Sequence, residues 1–319
     1  MIVCIGNALV DALQEVEEKI IDELDLNKSR MTLVDEERSN FLLSNMGNPT
    51  YAAGGSAANT AFWISQLGGK AGFIGKVSRD KLGEQFKSSL ASTNLIDYTV
   101  YGEEDIQTGL CAIFITPDGE RTMNTFLGAG EFLSRNEINR NSILDAEIVY
   151  LEGYLWDRPE SKEAFERASE LNTETNGKNA ITLSDVFCVE RHRESFIEFI
   201  KHSIDYVFCN EDELISLMDV DNFDSALIAF KEAFPQVEEL ICTLGPKGSI
   251  VLTKENDYRS LPVKVQIKDK TGAGDFFAAG YLKAKQEGLS IEESSILGNK
   301  SGAHVISEIG VRPKKSFSF

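Results

Sequence analysis

From residue 146 onward, apolar and polar positions alternate regularly. Short apolar runs at 146–155, 180–185, 206–210, 239–245 and 249–253 read as buried strands. Between them, apolar residues recur at helical spacing near 159–171, 190–202, 211–218 and 222–233. Strands alternating with amphipathic helices predict an α/β fold, with a parallel sheet, right-handed crossovers and helices on both faces. A last helix is predicted over 290–307.

The first half is less regular. Residues 2–9 (IVCIGNAL) read as a buried strand ending in a polar turn, 71–77 as a strand and 81–91 as a helix. Residues 12–50 change character: Val16, Ile20 and Leu24 repeat at helical spacing in an acidic background. A short strand at 31–34 and a helix start at Asp35 follow, and the stretch ends in Gly47-Asn48-Pro49. Residues 98–130 carry strands at 98–101, 109–116 and 121–126, with a hairpin turn at Pro117-Asp118-Gly119. The two irregular segments, 12–50 and 98–130, are expected to pair as one small subdomain inserted in a single domain spanning 1–319. There is no internal repeat or low-complexity linker.

One late stretch concentrates chemistry. Residues 263–267 predict an apolar strand, Thr271-Gly272-Ala273-Gly274 a tight turn, and Asp275 the start of a helix. Phe276, Ala279, Tyr281 and Leu282 fall on one buried face of that helix. Free backbone N–H groups and the positive helix end favour an anion at such a turn. A carboxylate beside that anion needs a reason. It is either a general base for a hydroxyl attacking a phosphoryl group or an N-cap for its helix.

Composition narrows the classes. The 319 residues are 42% hydrophobic, enough for a full core, and the formal net charge is -19. That acidity argues against nucleic acid or an anionic membrane as partner, and an anionic substrate would need local donors or a cation. No run is long enough for a membrane span, and no basic leader precedes the first strand, so a cytoplasmic location is expected. Cys4, Cys111, Cys209 and Cys242 lie in apolar strand-like runs, and with Cys188 they form no CxxC pair. They read as buried thiols. His192 and His202 read as helix-surface residues, and no zinc-ligand spacing is present.

Further polar groups fall at predicted strand ends, where open α/β sheets collect ligands. Asn7 and Asp11 follow the first strand. Gly54-Gly55 lead into a small-residue helix with Asn59 in its first turn. Asn210-Glu211-Asp212-Glu213 follow the strand YVFC and either cap a helix or face a cation. Thr243-Leu244-Gly245-Pro246-Lys247-Gly248 make a tight loop that either lines a ligand or simply turns the chain. No GxxxxGK[ST] is present, and no GxGxxG follows the first strand, so neither P-loop nor dinucleotide chemistry is indicated.

Taken together, DKTGAGDFFAAGYL, GGSAANTA, NEDE and TLGPKGS resemble, in order and spacing, the motifs of the PfkB family of carbohydrate kinases with its ribokinase-like fold. The resemblance runs from residue 1 to about 310. It implies ATP-dependent phosphorylation of a hydroxymethyl group on a nucleoside or sugar. Asp275 would be the base, and the N–H groups of Gly272, Ala273 and Gly274 the anion hole. Asn210 and Glu213 would position Mg²⁺ and its waters. Asp11, Gly54, Gly55, Asn59 and Asn7 would bind the acceptor, and Thr243, Gly245, Gly248, Thr271 and Asn299 the ATP. Segments 12–50 and 98–130 would form a lid. Lys270 stands where relatives usually carry Thr. That segment contributes to a monovalent-cation site in relatives, which makes K⁺ at Asp269 an expectation. The first insert, MTLVDEE and LSDVFCVERHRESF resemble the adenosine-kinase-like branch, with Phe126, Trp156 and Phe187 as candidate stacking residues. A homodimer is expected, because lid sheets in the family often pair. The alternatives are a sugar kinase of the same family, acting on ribose, fructose or 2-keto-3-deoxygluconate, and a non-catalytic nucleoside or sugar sensor.

Overall fold

The computed structural model describes residues 1–102, 105–308 and 310. Residues 103 and 104 of the 98–130 segment, with 309 and 311–319, lie outside the described residues. The strands are β1 (Ile2–Ile5), β2 (Leu9–Glu15), β3 (Met31–Leu33), β4 (Thr50–Gly54), β5 (Ala71–Ile74), β6 (Lys76–Val77), β7 (Ile96–Asp97), β8 (Val100–Tyr101), β9 (Thr108–Ile115), β10 (Arg121–Gly128), β11 (Ile148–Glu152), β12 (Lys178–Thr182), β13 (Tyr206–Asn210), β14 (Glu239–Thr243), β15 (Ser249–Leu252) and β16 (Asp257–Ser260). The helices are α1 (Lys19–Glu23), α2 (Glu36–Ser44), α3 (Ser56–Gln66), α4 (Lys81–Ala91), α5 (Arg140–Ile143), α6 (Pro159–Glu174), α7 (Val186–Ser203), α8 (Glu211–Met218), α9 (Phe223–Ala233), α10 (Ala273–Gln286) and α11 (Ile291–Ile306).

The large sheet runs β16-β15-β14-β13-β12-β11-β1-β5-β7. It is parallel except at β15, which pairs antiparallel with β14 and β16. Side-chain alternation sends Ile2 and Cys4 of β1 into one core with α3 and α10, and Val3 and Ile5 into a second core with Phe165, Phe196 and Leu214 of α6, α7 and α8. Strand order reverses at β1, with β5 on one side and β11 on the other. A crevice at the carboxyl ends is expected beside such a reversal.

The smaller sheet runs β3-β10-β9-β2-β4. One of its faces packs Val10, Ala12, Ala112 and Phe114 into the core with Leu42, Phe86 and Leu90 of α2 and α4. Its other face, carrying Leu9, Cys111 and Ile113, turns toward the crevice. This sheet reaches beyond the 12–50 and 98–130 limits, to residues 9 and 54.

Four local expectations are corrected. The first strand stops at Ile5, and Asp11 lies within β2 of the smaller sheet, where its neighbours pair with β4 and β9. The helix through Val16, Ile20 and Leu24 shortens to α1, because residues up to Glu15 are already bound in the ladder, although all three still pack against the core. Residues 263–267 form no strand. Val263, Val265 and Ile267 are exposed, and the edge position beside β15 is taken by β16, whose polar sequence DYRS hid it. His192 is half-buried, not free on the helix surface: its side chain is 15% exposed and its Nε2 lies 2.6 Å from Asp157. All five cysteines are buried. Among the described residues no helix is long and apolar enough to cross a membrane.

Helix α10 is held by its neighbours at close range. A Cβ on Gly280 would sit 2.5 Å from Ser301 Oγ and 2.7 Å from the Leu297 carbonyl oxygen of α11. The Gly280→Val protein should therefore lose about 1–3 kcal/mol of stability by overpacking. Urea denaturation measures this, and an unchanged midpoint would contradict the packing described.

Candidate active site

A cavity of about 490 Å³ opens at the carboxyl ends of the large sheet. Strand-end residues Asn7, Glu152, Thr182, Asn210 and Thr243 line its floor, and Leu9, Met31, Leu33, Ile113 and Met123 of the smaller sheet line its roof.

Two glycine-started helices meet at the centre. Gly55, at φ 100°, caps α3, and a Cβ there would collide with the Asn7 carbonyl. Gly272, at φ 76°, caps α10. Such backbone is accessible to glycine without strain. The turn before α10 closes with Ala273 N–H donating to the Lys270 carbonyl at 3.3 Å. Ala273 is therefore spent in part on the turn, while Gly272 and Gly274 N–H groups keep no hydrogen-bond partner among the described residues.

Asp275 does not cap its own helix. Its carboxylate instead accepts Ser56 Oγ–H at 2.6 Å and Asn59 Nδ2–H at 3.3 Å, both from α3. Thr60 Oγ1 adds a bond to the Asp275 carbonyl at 3.3 Å. Burial pushes the Asp275 carboxyl up to about 6, against the two hydrogen bonds, which favour the ionised form.

Glu152 is the site residue the sequence reading missed. It is a lone carboxylate closing the apolar run of β11, and the strand-end logic applied to Asn7 would have found it. It is 1% exposed. Its oxygens accept Asn7 Nδ2–H at 2.8 Å, Asn7 N–H at 3.3 Å and Ala57 N–H at 2.8 Å, which ties β1 to the start of α3. Burial raises its carboxyl to about 7. With Nδ2 committed, Asn7 leaves its buried Oδ1 unpartnered in the cavity wall, and Asn59 Oδ1 is likewise unpartnered. Buried acceptors of this kind call for donors such as hydroxyls.

Asn210 and Glu213 form a reciprocal capping box on α8. Asn210 N–H donates to Glu213 Oε2 at 3.0 Å, and Glu213 N–H donates to Asn210 Oδ1 at 2.8 Å. Burial holds the Glu213 carboxyl up at about 7. Among the described residues no three His, Cys, Asp or Glu side chains cluster as metal ligands. With both Glu213 oxygens and the Asn210 side chain bonded within the box, the pair suits a hydrated cation such as Mg²⁺ only through its waters.

The cavity wall includes Asp11, Gly55, Asn59, Thr243, Thr271 and Gly272 through Asp275. Gly54, Gly245, Gly248, Asn299 and Asp269 lie outside it. Asn299 donates to Ser249 Oγ and the Leu261 carbonyl, so it sits beside the Gly245–Gly248 loop as a shelf next to the cavity. Asp269 is already paired with Arg121 at 2.6 Å and accepts the Thr271 and Gly310 N–H groups. Its charge is met by a guanidinium, so these residues do not fit K⁺ there. None of the three expected stacking residues lines the cavity. Trp156 is core, stacked on Phe196, and Phe187 is 64% exposed.

A family model described as pfkB family carbohydrate kinase matches residues 1–316. The chain is similar to a solved structure of adenosine kinase from Sinorhizobium meliloti, 37% identical, covering 99% of this chain and 96% of that one with a TM-score of 0.89. A probable sugar kinase from Rhizobium etli CFN 42 is 34% identical, with coverage of 99% and 95% and a TM-score of 0.89. Probable fructokinase-7 of Arabidopsis thaliana is 29% identical over 280 residues, 82% of this chain and 80% of that protein.

A carboxyl whose folded pKa lies above its unfolded value stabilises the fold at acid pH, and that contribution is lost as pH rises through the folded value. For Glu152 the window runs from about 4.5 to about 7. Urea unfolding of Glu152→Gln at pH 5, 6.5 and 8 should show a smaller fall in stability with rising pH than wild type. Parallel curves would contradict the assignment, whatever the absolute cost of the lost Ala57 bond.

Proposed function

The chain belongs to the pfkB family of carbohydrate kinases and is a phosphotransferase acting on an alcohol group, and from that premise we propose that it moves the γ-phosphoryl group of ATP to a hydroxymethyl group of an adenosine-like nucleoside, with Asp275 as general base. The observation that carries the reading is the setting of Asp275. It is held by Ser56 and Asn59 rather than by its own helix, and burial raises it toward neutrality while leaving it ionised at pH 7.

In this reading the acceptor hydroxyl gives its proton to Asp275 as its oxygen forms a bond to the γ-phosphorus. The bond from that phosphorus to the β-phosphate oxygen breaks, and ADP leaves with the electron pair. The free N–H groups of Gly272 and Gly274 stabilise charge on the moving group. Asn7 Oδ1, Asn59 Oδ1 and Asp11 accept other acceptor hydroxyls and so orient the molecule. Thr243 and Thr271 border the phosphates, and the Gly245–Gly248 shelf with Asn299 takes the rest of the nucleotide. Mg²⁺, positioned through water by Asn210 and Glu213, would neutralise phosphate charge. The smaller sheet acts as a lid that excludes water.

The nucleoside preference rests on the apolar roof, where Leu9, Met31, Leu33, Ile113 and Met123 suit a flat base better than a second ring of hydroxyls. The similarity to a solved adenosine kinase agrees with it. The second reading, a sugar kinase, is favoured by the absence of Phe126, Trp156 and Phe187 from the cavity and by the probable sugar kinase relative.

Asp275→Asn should fold and bind ATP normally while turnover falls by about 10²–10⁴-fold. Near-normal turnover would remove Asp275 as the base. An ADP-release assay across nucleosides and simple sugars should give turnover with adenosine. Turnover of ribose, fructose or 2-keto-3-deoxygluconate alone would establish the second reading.

A further inference from the structure

The charge balance of the cavity singles out one residue. Five carboxylates line it: Asp11, Glu152, Asp157, Glu213 and Asp275. Against them stand two cationic side chains, Arg191 and Lys270. Arg191 is spent on Asp157, with Nε 3.2 Å from Oδ1 and Nη2 3.3 Å from Oδ2. The nearby Arg121 is spent on Asp269. Of the two, Lys270 is the one with no carboxylate partner among the described residues.

Its place in the chain adds to this. The Lys270 carbonyl closes the turn that delivers α10, and Lys270 lines the cavity together with Gly272 and Gly274, whose N–H groups are free. A Cβ on Gly274 would meet nothing within 4 Å, so the space over this helix start is open. The unpartnered buried oxygens of Asn7 and Asn59 in the same cavity mark it independently as a place where a ligand sits. A chain of net charge -19 also presents a repulsive field to a polyanion.

We propose that Lys270 is the phosphate-binding cation of this site, its ammonium contacting non-bridging oxygens of the donor's terminal phosphates where they meet the start of α10. This rests on the kinase reading for its place in a reaction, but not for its binding test. A flexible point charge suits the task, because it follows the phosphoryl group without imposing a fixed fork. It also explains how phosphates are held next to five carboxylates without a protein metal cage.

The test is calorimetric titration of the free protein with ATP, inorganic tripolyphosphate and, separately, adenosine. Lys270→Met, which keeps the stem and removes the charge, should bind ATP and tripolyphosphate about tenfold or more weakly and adenosine as wild type does. Lys270→Arg should recover most of the phosphate affinity, and raising salt should narrow the gap between wild type and Lys270→Met. Unchanged tripolyphosphate and ATP binding in Lys270→Met would overturn the proposal. So would an equal loss of adenosine binding, which would make the residue a support of the loop. The tripolyphosphate arm contains no acceptor and decides the proposal whether or not adenosine proves to be the substrate. Where wild type binds no adenosine, the urea midpoint of Lys270→Met replaces adenosine binding as the control, and a midpoint lowered in step with the phosphate affinity would make the residue a support of the loop.

Discussion

Everything at the centre of this molecule depends on two helix starts, α3 and α10, meeting at a single carboxylate. Ser56 and Asp275 are 219 residues apart in the chain, yet lie 2.6 Å apart in the fold. The approach is possible because each helix begins at a glycine with positive φ, where a side chain would strain the backbone or collide. It is kept in place from below, where Glu152 binds β1 and the first turn of α3 together, and from behind, where α11 packs against Gly280. The carboxylate ends up dry enough to be basic and hydrogen-bonded enough to stay ionised near neutral pH.

The same chain solves an electrostatic problem. It is strongly acidic and its site is lined with carboxylates, although its family chemistry handles polyphosphate. Three of those carboxyls, Glu152, Glu213 and Asp275, are pushed upward by burial, which softens their charge. Arginine charge is consumed locally by Asp157 and Asp269. What remains for a phosphate is backbone N–H at the start of α10 and one lysine at its rim.

Much of this was legible in the sequence, and the gaps have physical causes. Continuous apolar runs placed β11 through β15, which are buried on both faces of the sheet, strand-rich segments around a turn signal placed β9 and β10, and period-3.6 patterns placed the helices α4 and α6 through α11, most of which bury one face. They failed where packing does not write a pattern. Residues 263–267 alternate like a strand but lack a partner edge, while the polar β16 has one. Strand β2 was read as turn and helix, because a sheet that borders a cavity need not be apolar at Asp11. That Asn7, Asn59 and Asp275 would gather at one crevice was legible from their positions at strand and helix ends. Glu152, at the end of an apolar run, was open to the same strand-end logic but passed over, and Arg121 was invisible as the partner of Asp269, since 148 positions separate them in sequence and only the fold brings them together.

The central claim is that Asp275 is a base tuned by α3, and the pH dependence of kcat/KM for the acceptor, compared between wild type and Ser56→Ala, tests it most directly. The account predicts an acid limb near pH 6 in wild type. It predicts a limb displaced to higher pH in Ser56→Ala, because removing that hydrogen bond disfavours the ionised carboxylate while leaving the titration of ATP untouched. Superimposable limbs, or displacement to lower pH, would contradict it.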